Sequence, residues 1–110
     1  MREATSVSDC NGKTICIDDT VDLFGMIGTV NFCCGAYGIG FEKEIDWDLI
    51  ASKILEVTGC DNRPWFCYND NFISFWELLW NFNCEDDWCT VVKVIRSTEK
   101  ERGFDEGQRI

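Results

Sequence analysis

Apolar positions recur with two different periods along the chain, and the period changes near residue 42. Before that point the apolar runs are short, rich in β-branched residues and separated by turn residues, the pattern of strands. Asn11-Gly12 is a strong turn signal. Strands are predicted over 14–17, 20–24, 26–34 and 37–41, with Gly25 and Gly35-Ala36 breaking the chain between them. Gly28 inside the third marks a bulge or a close approach. Tyr37, Ile39 and Phe41 alternate with glycines, which places the large residues on one face and allows strong curvature. Residues 1–9 read as a polar lead-in.

After residue 42 the spacing turns helical. Trp47, Ile50, Ile54 and Val57 form one apolar stripe over a predicted helix 47–57. Asp46 is its N-cap and Gly59 its C-cap. A loop with the only proline, Pro64, covers 60–71. Ser74 and Glu77 have the spacing of a capping box ahead of a second helix, 75–82. That helix is apolar on nearly all sides, so Trp76 and Trp80 are expected in the core and Trp65, in the loop, at a contact surface. A final strand is predicted over 90–95, followed by a polar stretch.

The order of strands, then helices, then a closing strand predicts an α+β fold. The expectation is a small curved antiparallel β-barrel of about five strands, with two helices inserted before the last strand. With 110 residues the chain makes one domain. We place it at 1–96, with a cysteine-rich helical insertion at about 42–89, and read 97–110 as a polar C-terminal tail.

Four of the eight cysteines flank the most aromatic stretch. Cys60 and Cys67 enclose six residues, and Cys84 and Cys89 enclose four. Two local thiol pairs can hold one structural, tetrahedral Zn²⁺ that would staple the fold; the Cys84/Cys89 gap is the usual one and the Cys60/Cys67 gap is longer than usual. The other reading is buried thiols acting as small hydrophobes. Cys10, Cys16, Cys33 and Cys34 make a poorer set, because neighbours such as Cys33 and Cys34 point to opposite faces of a strand. The first ten residues carry no apolar run, so the expected compartment is cytoplasmic, where thiols stay reduced. The rival is a secreted, disulfide-stapled chain.

Charge and missing residue types narrow the function. Twenty acidic residues against ten basic ones leave a net charge of -10. Like charge opposes binding to nucleic acid or anionic membranes and favours basic protein surfaces. Glu85, Asp86 and Asp87 are candidates for such a contact, since they must face outward if Cys84 and Cys89 turn toward a metal. Asp18, Asp19 and Asp22 form a second acidic cluster, and Glu42, Glu44, Asp46 and Asp48 a third. No D-x-D-x-D-G calcium loop is present. The chain has no histidine, which removes the usual general base and any Ser-His-Asp or Cys-His site. The expectation is a protein that is not an enzyme.

Several of these stretches together resemble the YopX-like phage proteins. Asn11-Gly12-Lys13 followed by Asp18-Asp19-Thr20-Val21 is similar to their opening motif. Gly28-Thr29-Val30 and Gly35-Ala36-Tyr37 are similar to the motif that follows, and Val91-Val92-Lys93-Val94-Ile95 resembles their closing strand. The resemblance implies a Src-homology-3-like barrel encoded in phages and prophages of Gram-positive bacteria. This chain lacks the family's Gly-Asn after the last strand and adds the cysteine-rich segment. Small acidic phage proteins include anti-CRISPR inhibitors of the type II effector nuclease, some of them metalloproteins. By that analogy the expected partner is a basic surface of a host nucleic-acid-processing protein, a CRISPR effector nuclease whose loading with target DNA is hindered in the bacterial host's cytoplasm. The alternative is a non-catalytic phage regulatory or structural module with a structural zinc site.

Overall fold

The computed structural model describes residues 3–63 and 70–97. It is an α+β arrangement of a five-stranded antiparallel sheet, a two-stranded hairpin and two helices. In chain order the elements are β1 (Ala4–Ser8), β2 (Thr14–Cys16), β3 (Thr20–Leu23), β4 (Met26–Cys33), β5 (Ala36–Gly40), α1 (Trp47–Thr58), β6 (Phe72–Ser74), α2 (Phe75–Asn81) and β7 (Val92–Arg96). Both helices fall before the last strand, as the sequence predicts.

The sheet has the order β6-β5-β4-β3-β7. The closing strand returns to the first part of the chain, with Val21 opposite Val94 and Leu23 opposite Val92. All four side chains lie in the core. The sheet is open, which corrects the expected barrel. Its edges are β6, only three residues long, and β7, which pairs with β3 alone among the described strands. Instead of closing the sheet, the β1–β2 hairpin docks on its end. Ser8 N–H donates to Asp87 O, Cys89 N–H to Ser8 O and Cys10 N–H to Val92 O.

Strand β1 replaces the predicted lead-in. Thr5 and Val7 point inward, and the Thr5 hydroxyl donates to Ile15 O at 2.8 Å. Two inward residues in five, interrupted by Ser6 at φ 69, are too weak an alternation to read as a strand in isolation. Strand β6 also escapes the sequence pattern. It exists because Gly38 lets its backbone come close: a Cβ there would lie 2.3 Å from Ile73 O and 2.7 Å from Ser74 Cα.

Helix α1 is capped as predicted. The Asp46 carboxylate accepts from Leu49 N–H at 3.1 Å, and Gly59, at φ 77, donates to Leu55 O. Its buried face is Ile50, Ala51 and Ile54, with Trp47 packed at the margin. Val57 is exposed, so the stripe ends one turn earlier than predicted. Of the expected 97–110 tail, Ser97 is buried and the remainder lies outside the described residues.

Candidate functional site: a cysteine knuckle beside an exposed tryptophan pair

Helix α2 follows β6 directly. The Ser74 hydroxyl accepts from Glu77 N–H at 3.1 Å, capping the first turn. Phe75 and Leu78 on one face, with Phe82 beyond the helix end, are buried. Glu77 is buried too, and the Asn81 amide donates to its carboxylate at 2.9 Å and to its backbone carbonyl at 2.8 Å. Seven residues make two turns, so one apolar face is all that such a helix can bury.

Trp76 and Trp80 fall on the other face. They are 62% and 67% exposed, which corrects their expected place in the core. Their rings stack, with centroids 5.9 Å apart and planes at 11°. The i, i+4 spacing on a helix produces this contact. The spacing of Phe75, Leu78 and Phe82 was the signal in the sequence that could have assigned the buried side to them instead.

The chain then folds into a knuckle. Cys84 N–H donates to Leu79 O at 3.0 Å, and Trp88 N–H to Glu85 O at 3.1 Å. Asn83 and Asp86 adopt left-handed backbone, each at φ 53, which Asn and Asp tolerate better than most residues. Glu85, Asp86 and Asp87 are exposed, as the sequence argument requires, and Trp88 is exposed beside them. The last turn of α2 carries no basic residue, and the three carboxylates follow it within six residues.

Cys84 and Cys89 meet inside the knuckle. Cys89 is fully buried and Cys84 partly so. A hydrogen bond from the Cys89 thiol lowers the Cys84 pKa from 9.0 to about 6, against the opposing effect of burial. Thr90 reinforces the shift through its backbone N–H and its hydroxyl. The Thr90 hydroxyl oxygen lies 3.7 Å from the Cys84 sulfur. The same contact, with burial, pushes the Cys89 thiol up, while the Val91 and Val92 N–H groups oppose the rise. The pair therefore holds a thiolate on Cys84 and a proton on Cys89. Two sulfurs that receive backbone N–H groups are half of a soft-metal site.

The other half of the predicted quartet is not assembled among the described residues. Cys60 is exposed just beyond the α1 cap, and no group of three or more Cys, Asp or Glu side chains is gathered for a metal. Cys67 and Trp65 lie outside the described residues. Comparisons with protein-family models, curated proteins and solved structures found no match. The functional reading therefore rests on this chain's own residues.

The other acidic clusters divide. Asp19 is buried and accepts from Cys16 N–H at 2.9 Å, and Asp22 accepts from Gly25 N–H at 2.9 Å, so both shape turns. Glu42, Glu44 and Asp46 rim a groove of about 500 Å³ whose floor includes Met26, Phe41 and Ile45. Lys43 on the same rim offsets part of that charge.

Proposed function

We propose that the protein is a non-catalytic docking module that presents Trp76, Trp80 and the acidic knuckle Glu85, Asp86 and Asp87 to a basic partner. The carrying observation is the exposed, stacked tryptophan pair on the helix that leads into the knuckle. Tryptophan is among the commonest anchors of protein interfaces, and large apolar side chains grouped in solvent mark interaction surfaces. An arginine-rich partner suits both parts. Its guanidinium groups can lie over indole faces and pair with carboxylates. The net charge of -10 favours the same partner and disfavours nucleic acid.

The resemblance to YopX-like phage proteins supports a narrower reading: an anti-CRISPR inhibitor that occupies the basic nucleic-acid channel of a type II effector nuclease and hinders target DNA loading. Carboxylates there would stand in for phosphates. The test is inhibition of that nuclease by the wild type, Trp76→Ala/Trp80→Ala and the reversal of Glu85, Asp86 and Asp87 to lysine. The expected outcome is stoichiometric inhibition by the wild type, weakened at high salt and lost in both variants. No inhibition of any effector from the phage's host range would leave the regulatory or structural module. Inhibition unchanged in both variants would move the contact elsewhere on the molecule.

Structural zinc is the second part of the proposal, favoured by the Cys84–Cys89 pair with its N–H groups directed at sulfur. Cys60 and Cys67 would complete four thiolates. One zinc per chain in protein purified without chelator, lost in Cys89→Ser, supports it; zinc-free protein of unchanged stability overturns it.

A further inference from the structure

The β4–β5 hairpin carries a second thiol pair that the docking surface does not use. Cys33 and Ala36 are the last paired residues, so Cys34 and Gly35 form a two-residue turn. Their φ values, 53 and 86, are those of a type I′ turn, which favours Asn-Gly or Asp-Gly. Cysteine is a poor choice for the left-handed first position. Departures from local preference of this kind gather at functional sites.

The turn has a chemical consequence. In a strand, adjacent side chains point to opposite faces, and the sequence pattern alone separates Cys33 from Cys34. Because Cys34 has left the strand, the two sulfurs lie 3.6 Å apart. Two sulfurs bound to one soft centre by bonds of about 2.3 Å lie about 3.8 Å apart at a tetrahedral angle and somewhat closer in a pyramidal trivalent centre. The pair is thus spaced to chelate without rearrangement. Cys34 is exposed, and Phe32 beside it is 58% exposed with its ring edge-on to Tyr37 at 5.1 Å, giving the sulfurs an apolar flank. No charged residue occurs from Ile27 to Phe41 in this acidic chain. Glu3, which reaches the hairpin from outside, accepts a hydrogen bond from the Tyr37 hydroxyl. The donor set is sulfur alone, which selects soft centres over Ca²⁺ or Mg²⁺.

We propose that Cys33 and Cys34 form a bidentate site for a trivalent, thiophilic metalloid centre. Two thiols meet the requirement of a monosubstituted arsenic(III). An organoarsenical oxide, R–As=O, condenses with both S–H groups; two As–S bonds form, the As=O bond breaks and one water leaves, with no change in oxidation state.

The probe is phenylarsine oxide, with stoichiometry read by native mass spectrometry in excess monothiol, which strips singly attached arsenic but leaves chelates. The wild type is compared with Cys34→Asn and Cys33→Ser. Whatever the remaining cysteines bind is common to all three proteins, so the expected result is one arsenical per chain fewer in each variant. Asn suits the left-handed turn position, so Cys34→Asn should melt no lower than the wild type, which separates loss of the site from loss of the fold. Equal stoichiometry in the wild type and both variants overturns the proposal.

Discussion

Asp9 Oδ2 accepts a hydrogen bond at 2.9 Å from the backbone N–H of Val94, 85 residues further along the chain. Its other oxygen accepts from Asn11 N–H at 2.9 Å and Lys13 N–H at 2.8 Å. One buried carboxylate therefore shapes the β1–β2 turn and ties that hairpin to the closing strand. Asp9→Ala leaves three N–H groups without this acceptor and is expected to cost at least about 3 kcal/mol. Asp9→Asn should cost less, because the amide keeps one acceptor oxygen. Urea denaturation of both variants checks the order.

Gly38 and Gly40 lie on the same strand but differ in what surrounds them. A side chain at Gly38 meets the backbone of β6, which cannot move without breaking the pairing of β5 with β6. At Gly40 the closest atom is the Asn31 amide nitrogen at 2.7 Å, the end of a side chain that can turn away. Gly38→Ala is expected to lose about 1–3 kcal/mol, and Gly40→Ala less. Denaturation midpoints for the two alanines decide the point.

Helix α2 divides stability from binding. Leu78 is fully buried, so Leu78→Ala should cost about 2–5 kcal/mol. Trp76→Ala and Trp80→Ala lose their mutual stacking, about 0.5–1.5 kcal/mol, yet should abolish docking. Thermal melts alongside an affinity measurement for the partner separate these effects. A tryptophan variant that unfolds at the Leu78→Ala midpoint would show that the indoles hold the fold.

Cys84 should behave as a thiolate at neutral pH in metal-free protein. Its pKa is lowered, so it is deprotonated above about 6 and gains a proton as the pH falls through that value. Alkylation by iodoacetamide should then be flat from pH 7 to 9 and slow below pH 6. An ordinary thiol, near 8.5, would still be accelerating between 7 and 9. Cys89→Ala removes the thiol that stabilises the charge, and the midpoint should rise toward that ordinary range. Peptide mapping of the alkylated protein reads the rate at Cys84 alone.

Local pattern alone determined much of the architecture. The pattern that marks β2 to β5, both helix starts and the closing strand is local: alternation, caps and left-handed turn residues. Asp46 on Leu49, Ser74 on Glu77 and Gly59 past α1 are such cases. The outward placement of Glu85, Asp86 and Asp87 and the meeting of Cys84 with Cys89 follow from a short loop for the same reason.

Tertiary structure decided what depends on distant partners. β1 and β6 are strands only because β2 and β5 supply their hydrogen bonds, and their own side chains carry too little alternation to announce it. The sheet stays open because the β1–β2 hairpin caps its end, through Ser8 on the knuckle and through Cys10 and Asp9 on β7, without pairing as a further strand. Trp76 and Trp80 are apolar enough for a core, but the buried side of α2 is taken by Phe75, Leu78 and Phe82 together with the hydrogen-bonded Glu77 and Asn81. Hydrophobicity states that a side chain gains by leaving water; which side chains find a place is decided by the space that the rest of the chain leaves.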